Sequence, residues 1–398
     1  MAAGRRRLRA LAVLVSGALA LACAGLLLLV ALWAPHTGLA NAALTVAHIV
    51  WRGPPTVYDH RDAPGRPLVA THPQPLAVAA QDGSWARLAV PHRPGVDLAT
   101  HLQSNRTLAF LVVRHGSVVY SHMAAGHRPQ DALLYFSVSK SVLATLVGLA
   151  IDDGILAGLD MPVTQLVPEV AGRGLDGTTL RHLIDMTSAL DYTEDANPLN
   201  LYVPLAYTPD QQALVLRLRG SGPDGGAFRY RSGETALLSL ALQRALKPET
   251  IAAYTQRRLW GPLGMAHAGL WSLDRTDGLE KAWCCLAGTA HDLAKLGQLY
   301  LDDGRADGRQ IISPGWVAAS RPTASTDGQR HYARGWWPGA RGTTDFAGIG
   351  KDGQFLYVSP THDTVVVRLG EHWGPDTLGQ WLSLLSTVAS HRAAPGGP

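Results

Sequence analysis

Apolar positions follow different patterns in different parts of this 398-residue chain. An uncharged run extends from Leu11 to Trp33. As a helix of about 23 residues it would reach roughly 35 Å, enough to cross a bilayer core of about 30 Å. Runs rich in β-forming residues come in two pairs, each separated by a turn, and each pair predicts a hairpin. The first pair is 108–114 and 118–122, and the second is 354–358 and 364–370.

Helical patterns fill the region between the two hairpins. A strongly apolar run begins near Phe136 and ends at about Asp153, and helical signals then dominate from 159 to about 294. A last amphipathic helix covers about 376–390. Because strands occur near both ends, we predict an α+β fold. Its antiparallel sheet would be built from both chain ends and flanked by helices, with a mainly helical lobe inserted.

The same pattern divides the chain into four parts, with predicted limits at residues 1–34, 35–94, 95–392 and 393–398. The first part would be an arginine-rich start followed by a transmembrane anchor. The second would be an irregular stalk rich in Pro, Gly, His and Arg, with a short helix near 44–49, and the last would be a frayed tail. The third would be the folded domain, with its helical lobe at about 159–294.

The N-terminal apolar run allows two interpretations, an uncleaved anchor or a signal peptide. A signal peptide has an apolar region of about 7–15 residues, which is shorter than this run, so the anchor is favoured. Arginines at positions 5, 6, 7 and 9 precede the run. By the positive-inside rule they place the bulk of a single-pass protein outside the cytoplasm. They also supply all four charges of the +4 net charge, so a nucleic-acid partner is not expected.

Composition narrows the chemistry further. Apolar residues make up 46% of the chain and charged residues 17%, as in ordinary globular proteins. Cys284 and Cys285 are adjacent, a spacing that rarely closes an ordinary disulfide, so we predict two small buried side chains. The 16 histidines and three cysteines show no zinc-ligand spacing. Neither a metal nor a cofactor is expected.

The apolar run near Phe136 opens with a Ser-x-x-Lys pair, Ser137 and Lys140. Residues three apart share one face of a helix, so the hydroxyl and the amine can meet. A serine hydroxyl becomes a nucleophile when a base takes its proton, and a buried lysine of lowered pKa can serve. The pattern alone is common by chance, so further motifs are needed.

Tyr230 and Ser232 form a Tyr-x-Ser pair at the junction of a glycine-rich loop and a helix. A tyrosine near a lysine ionises more easily and can act as a general base, and Ser232 can relay or orient the proton. The structural alternative is a packed tyrosine ring and a serine that caps the next helix.

Residues 348–353 match the Gly-x-Gly-x-x-Gly dinucleotide fingerprint, but a strand follows them where that motif requires a helix. We therefore reject that reading. Gly348 and Gly350 are instead predicted to let a strand edge approach a substrate backbone. The N–H of Ile349 would then pair with that of Ser137 as an oxyanion hole. Trp337 is a candidate for an acyl pocket, with core packing as its alternative.

Taken in order, these motifs resemble the serine β-lactamase-like hydrolases. This group contains class C β-lactamases, D-Ala-D-Ala carboxypeptidases, family VIII esterases and 6-aminohexanoate-dimer hydrolases. The resemblance spans roughly Leu108 to Leu385 and is carried by residues 136–141, 152–156, 179–188, 228–232, 259–265, 290–294 and 353–358. It implies that Ser137 attacks a carbonyl and forms an acyl-enzyme, that Lys140 and Tyr230 share general acid/base duty, and that Ser232 assists.

The chain departs from the family pattern at the third motif. Where β-lactamases carry Lys-Thr-Gly, this chain has Phe346-Ala347-Gly348, much as in the 6-aminohexanoate-dimer hydrolase branch, and Ile349 becomes the oxyanion donor. Lys351 resembles the missing lysine but comes a few residues late. Losing that lysine removes the usual anchor for a substrate carboxylate, which counts against β-lactam or D-Ala-D-Ala recognition. Ala189, where relatives often have Gly, would affect only a turn.

We therefore predict a membrane-tethered serine hydrolase that acts on small ester or amide substrates outside the cytoplasm. A penicillin-binding carboxypeptidase or β-lactamase is the alternative among enzymes. A catalytically silent, membrane-anchored binding module is the alternative outside them. The substrate depends on loops such as 197–209 and 323–330, and the sequence leaves the oligomeric state open.

Overall fold

A computed structural model describes residues 2–79, 83–194, 197, 200–222, 225–323 and 331–392, with side chains from residue 14 onward. The helices are α1 (Ala2–Thr37), α2 (Leu39–Arg52), α3 (Leu98–Ser104), α4 (Ser139–Asp152), α5 (Leu180–Ile184), α6 (Tyr202–Tyr207), α7 (Gln211–Val215), α8 (Ser232–Leu246), α9 (Ile251–Thr255), α10 (Ala290–Leu301), α11 (Pro314–Ser320) and α12 (Leu378–Ser390). The strands are β1 (Gly65–Leu68), β2 (Ala77–Val78), β3 (Thr107–Arg114), β4 (Ser117–Met123), β5 (Leu133–Leu134), β6 (Gly269–Ser272), β7 (Leu286–Gly288), β8 (Arg305–Ala306), β9 (Arg309–Gln310), β10 (Trp337–Pro338), β11 (Phe346–Gly350), β12 (Gln354–Ser359) and β13 (Thr364–Gly370).

The main sheet joins the two ends of the folded domain, in the strand order β10-β11-β12-β13-β3-β4-β2. Both predicted hairpins are confirmed, since β3 pairs with β4 and β12 with β13 in antiparallel register. The central pairing is between β13 and β3, which sets Val366 opposite Val112. The α+β architecture with a sheet made from both chain ends is therefore confirmed.

Alternating side chains of β3 supply the two cores. Leu111 and Val113 point to the face covered by α4 and α10, whereas Phe110 and Val112 point to the face covered by α3 and α12. All four are fully buried. Because successive residues of a strand face opposite ways, a strand that is apolar throughout must be covered on both sides. Ser137 lies on the α4 side of this sheet.

The region 159–294 is less helical than predicted. It contains β6 and β7, which join β1 and β5 in a second sheet of order β1-β6-β7-β5. These strands have four and three residues, too short to show a clear alternation. The remaining elements of this region are mainly short helices, so the description as a helical lobe is only partly right.

The segment 35–94 differs from the predicted stalk. The helix predicted near 44–49 is present and is longer than predicted, as α2, and β1 and β2 add strands to the two sheets, through β6 and β4. The Pro- and Gly-rich composition suggested irregular chain. β1 lies at the edge of its sheet, where Pro67 is tolerated because an edge strand needs fewer N–H donors. This segment therefore belongs to the folded part of the molecule.

Residues Leu14–Thr37 of α1 are long and apolar enough to cross a membrane, with a mean hydropathy of 2.5. On length and composition this helix is a candidate anchor or signal sequence. Its last turns pack on the protein, where Trp33 contacts a small cluster with Ala42 and Val46 of α2. The predicted frayed tail (393–398), residues 324–330 of one predicted pocket loop and residues 198 and 199 of the other lie outside the described residues.

Candidate active site

Ser137 lies in a single 3-10 turn, Phe136–Val138, directly before α4. The residue before it, Phe136, has a φ of 46°, in the left-handed region that costs a non-glycine residue roughly 1 kcal/mol. All the α4 residues from Ser139 to Ala150 are buried, so the helix is rigidly held. Ser137 itself stays partly exposed, which leaves its hydroxyl open to a substrate.

Lys140 meets Ser137 as its spacing predicts. Its Nζ lies 3.0 Å from Ser137 Oγ and 3.0 Å from Ser232 Oγ, and it donates to the Trp283 carbonyl at 2.8 Å. The side chain is 3% exposed. Burial lowers the pKa of Lys140 to about 8, opposed by the negative charge of Glu194. A fraction of the amine is therefore neutral near pH 7, when it can accept a proton.

Tyr230 completes the predicted trio. The Lys140 amine lies 5.0 Å from the centroid of the Tyr230 ring, and the Tyr230 hydroxyl is hydrogen-bonded to Ser137. The expected easy ionisation of the phenol is wrong. Burial raises the pKa of Tyr230 well above its ordinary value, the charge of Glu194 adds to this, and the bond to Ser137 only partly offsets it. Tyr230 is a neutral phenol in the free protein.

Ser232 links this trio to a carboxylate that sequence reasoning missed. Its backbone N–H and hydroxyl both donate to Glu194, the hydroxyl over 2.9 Å. Ser232 does not serve as a side-chain cap of α8, so the capping part of the structural alternative is wrong. Burial raises the pKa of Glu194, opposed first by Lys140. Glu194 lies in a loop without a motif, so no sequence signal pointed to it.

The strand β11 passes close to the turn that holds Ser137. A Cβ at Gly350 would come within 2.5 Å of the Tyr135 carbonyl oxygen and 3.2 Å of the Ser137 backbone nitrogen. One at Gly348 would come within 2.8 Å of Ser141 Oγ. The glycines thus allow close approach to the turn that holds Ser137. Substrate binding by Gly348 and Gly350, and the oxyanion role of Ile349 between them, stay predictions.

Trp337 supports Tyr230. The two rings are 5.3 Å apart at an interplanar angle of 31°, and Phe228 and Tyr332 pack edge-on against the indole. Such an aromatic cluster holds the phenol in one orientation. Trp337 is not among the described residues that line the cavity beside Ser137, so its role as an acyl-pocket wall stays a prediction.

A cavity of about 390 Å³ opens beside Ser137. This volume is at the lower end of the range for small-molecule sites. Its wall brings together parts of the chain that are distant in sequence, including the 134–137 turn, α2, α6 and the segment 281–285. The side chains that line it include Ser137, Phe136, His48, Arg52, Tyr202, Tyr207, Lys281, Trp283 and Lys351.

Two lysines line the cavity. Lys281 donates to the Ala206 carbonyl, and burial lowers its pKa to about 8. Lys351, which follows β11, pairs with Asp352 and lies 5.3 Å from the centroid of the Phe136 ring. The lysine that seemed misplaced in the third motif therefore does reach the cavity, although with a neighbouring carboxylate.

The two adjacent cysteines also line this cavity. Cys284 and Cys285 form a disulfide with each other, so the prediction of two small buried side chains is right about the burial of Cys284 but missed the bridge. The bridge directly follows Trp283, whose carbonyl holds Lys140.

A possible metal-ligand group lies elsewhere, on the α3 and α12 side of the sheet. His92, His101 and Asp376 bring their ligand atoms within 4.8 Å of one another. The carboxylate of Asp376 already accepts two hydrogen bonds from Arg93, at 2.9 and 2.5 Å. A guanidinium there neutralises the carboxylate, so we describe this group as an ion-pair network. It has no contact with the cavity beside Ser137.

Comparison with known proteins shows the family of this chain. The beta-lactamase family model matches residues 97–386. A 6-aminohexanoate-dimer hydrolase of Paenarthrobacter ureafaciens is 33% identical over 321 residues, which cover 73% of this chain and 79% of the relative. Among solved structures, a Bacillus anthracis protein provisionally assigned as a 6-aminohexanoate-dimer hydrolase superposes with a TM-score of 0.74 at 20% identity, over 87% of this chain and 92% of its own. A family VIII carboxylesterase gives a TM-score of 0.57 at 15% identity, over 73% and 94%.

Proposed function

The chain belongs to the beta-lactamase family of serine hydrolases, and we propose that it cleaves small ester or amide substrates through an acyl-enzyme on Ser137. The observation that carries this proposal is the 3.0 Å approach of Lys140 Nζ to Ser137 Oγ. Burial gives that amine a pKa of about 8, which suits a general base.

The hydrogen bonds around Lys140 fit a neutral amine. An –NH₂ group has two protons and one lone pair. The protons can go to the Trp283 carbonyl and to Ser232 Oγ, because the Ser232 hydroxyl donates onward to Glu194. The lone pair then faces the Ser137 hydroxyl. Ser137 would transfer its proton to Lys140 as its oxygen attacks the substrate carbonyl carbon.

Tyr230 is placed to handle the leaving group. As a neutral phenol bonded to Ser137, it can give its proton to the departing alkoxide or amine and regain one from Lys140. Its high pKa suits proton donation better than proton abstraction. Hydrolysis of the acyl-enzyme would run the same transfers in reverse, with water in place of the alcohol or amine.

The developing negative charge would be stabilised by main-chain N–H groups of Ser137 and Ile349. The support for this is that β11 approaches the Ser137 turn so closely that neither Gly348 nor Gly350 has room for a Cβ. No side-chain cation is needed for this step. Lys351 would instead contact the part of the substrate that lies in the cavity.

We also propose that α1 anchors the protein in a membrane, with the domain outside the cytoplasm. The apolar stretch Leu14–Thr37 supports the anchor, and the preceding arginines support this orientation. Protease protection of the full-length protein in sealed vesicles tests both points. A domain that is released as a shorter soluble chain would indicate a signal peptide instead.

A panel of p-nitrophenyl esters tests the catalytic proposal. Wild type should release p-nitrophenol, and Ser137→Ala should lose at least about 10³-fold in kcat/KM. Ser383→Ala, an exposed serine of α12, is the matched control and should behave as wild type. A fluorophosphonate probe should label wild type and the control but not Ser137→Ala. Equal rates for wild type and Ser137→Ala would refute the proposal.

A penicillin-binding or β-lactamase activity is the second candidate. It is favoured by the single observation that Lys351 reaches the cavity beside Ser137. A fluorescent penicillin that labels Ser137, and a Lys351→Met variant that is labelled more slowly, would promote this alternative. Absence of labelling would leave the esterase or amidase assignment.

A further inference from the structure

The helix α2 presents an apolar surface to the outside of the molecule. Leu39, Leu44, Val50 and Trp51 are 70%, 49%, 64% and 76% exposed. At about 100° per residue they fall in one arc of the helix, together with the exposed Ala40, Ala43 and Ala47. Every residue of this arc, called here the α2 apolar face, is uncharged, and the indole N–H of Trp51 is its one hydrogen-bonding side-chain group. A continuous apolar surface of this kind is unfavourable in water and indicates contact with a membrane or another protein.

The other sides of α2 are fixed to the domain. Ala42, Thr45 and Val46 are buried, and Val203 of α6 packs on the same cluster. The imidazole of His48 is hydrogen-bonded to the Tyr207 carbonyl at 3.0 Å, and the Tyr207 hydroxyl donates to the Gly53 carbonyl at 2.7 Å. The helix therefore has one fixed orientation relative to the domain.

The same helix forms part of the active-site wall. His48 and Arg52 of α2 line the cavity that contains Ser137, and so do three residues of α6, which α2 contacts. The cavity and the α2 apolar face are thus separated by the width of one helix, about 10 Å.

The chain itself indicates what covers the α2 apolar face. Only Gly38 separates α2 from α1, the helix that can span a membrane. The last turns of α1 pack on the domain, so α2 begins close to the end of the proposed span, on the side where the domain lies. A helix with an apolar face and an interfacial tryptophan is stable when it lies in the plane of the headgroups.

We propose that the α2 apolar face lies in the membrane interface and that the active-site cavity opens beside the bilayer. Its substrates are then amphiphiles, esters or amides with a long alkyl or acyl chain, which reach Ser137 from the membrane. This rests on the proposed hydrolase activity. A cavity of about 390 Å³ holds the scissile group and a few carbons, and the rest of the chain stays in the lipid.

Full-length protein in phosphatidylcholine vesicles tests this with two esters of one chromophore, soluble p-nitrophenyl acetate and membrane-partitioned p-nitrophenyl palmitate. The variant Leu44→Asp/Val50→Asp should keep its acetate rate within about twofold and lose at least about tenfold on palmitate. Val69→Asp/Val78→Asp, at valines that are 55% and 66% exposed outside α2, is the matched control and should keep both rates.

Equal changes on both esters, or an unchanged palmitate rate, would overturn the proposal. Failure of the hydrolase assignment looks different, because wild type and Ser137→Ala would then be equal on acetate. The membrane contact is measured in a separate fluorescence experiment, in which the emission of Trp51 is obtained as the difference between the tryptophan spectra of wild type and Trp51→Phe. This difference should be quenched by lipids brominated near the glycerol backbone.

A second copy of the chain is the competing occupant of the α2 apolar face. In that case Trp51 would be shielded from brominated lipid, and the protein would be a dimer in nanodiscs that Leu44→Asp/Val50→Asp dissociates. That result would also overturn the proposal. A monomer with a quenched Trp51 would support it.

Discussion

Glu194 accepts two hydrogen bonds from Ser232, one from the backbone N–H and one from the hydroxyl. The hydroxyl of Ser232 is thereby turned so that its oxygen faces Lys140 Nζ at 3.0 Å. Glu194 has no hydrogen bond to Ser137, the proposed nucleophile, or to Lys140, the proposed base. Through Ser232 it nevertheless orients the lone pair and the protons of the Lys140 amine. Glu194 is a positioning residue in this arrangement.

Replacing Glu194 by glutamine should move the pH dependence of the reaction. The charge of Glu194 raises the pKa of Lys140, so its removal lowers that pKa further. A neutral Lys140 is the proposed base, so the rise of kcat/KM with pH should shift from about pH 8 to lower pH. The measurement is a pH profile of p-nitrophenyl acetate hydrolysis by wild type and Glu194→Gln.

Glu169→Gln is the control for this profile, because Glu169 is a surface carboxylate paired with Arg244. It should leave the profile in place. An unshifted profile in Glu194→Gln, or one moved to higher pH, would contradict the assigned role.

Lys140→Met should separate function from stability. The base is lost, so kcat/KM should fall by about 10³-fold or more. Burial lowers the pKa of the Lys140 amine from 10.5 in the unfolded chain to about 8 in the folded protein. The unfolded chain therefore binds more protons between these two values, and the folded protein gains stability as the pH rises from 8 to 10.5. Below pH 8 the cost of burying the charged amine is present in full. An apolar side chain of similar length removes this penalty.

At pH 7 the variant should therefore be as stable as wild type or more so, measured by thermal melting, and the difference should shrink at pH 10. A melting temperature that falls at pH 7 would show that the hydrogen bonds of Lys140 outweigh the cost of burying it.

Tyr230→Phe removes the phenolic proton and keeps the ring that packs on Trp337 at 5.3 Å. We expect a loss of about 10²–10³-fold in kcat with little change in KM or melting temperature, because proton transfer to the leaving group is affected. The loss should be smaller for p-nitrophenyl esters than for anilides, since p-nitrophenolate leaves without protonation. Equal losses for both leaving groups would contradict a proton-donor role.

Gly350→Ala should damage the site through the backbone. The added methyl group would come within 2.5 Å of the Tyr135 carbonyl oxygen, and either β11 or the Ser137 turn has to move. A shift of this kind in a catalytic turn costs at least about tenfold in kcat/KM. Gly379→Ala is the control, because a Cβ there meets no atom within 4 Å and the residue lies in α12.

That control should keep full activity and gain roughly 0.5–1 kcal/mol in unfolding free energy, as measured in urea. Full activity in Gly350→Ala would show that β11 can move without affecting the oxyanion site.

The parts of the site that are close in sequence could be predicted. Ser137 and Lys140 are one helical turn apart, so local geometry determines their contact. The strands β3 and β13 were recognisable because each contains a run of β-branched and other apolar residues, which in β13 is interrupted by Arg368. Tyr230 was placed near Lys140 only through the family resemblance, since no local rule brings two segments about 90 residues apart together.

The missed features depend on contacts between distant segments. Glu194 acts through Ser232, and no spacing rule links a loop carboxylate to a serine 38 positions away. The strands β1 and β6 have four residues each. They are strands because their backbones pair with each other, and neither shows a clear alternation of apolar and polar residues in the sequence. His48 of α2 was assigned to a stalk because the Pro- and Gly-rich composition of that segment predicts irregular backbone. Composition does not show which other parts of the protein a segment packs against.

Trp283 contributes to the site in two independent ways. Its indole lines the cavity, while its carbonyl oxygen accepts from Lys140. Every amino acid carries that carbonyl, so the residue type at this position can change without removing the acceptor. Substitutions at position 283 can therefore alter which molecules fit the cavity, while the backbone carbonyl continues to accept the hydrogen bond from Lys140.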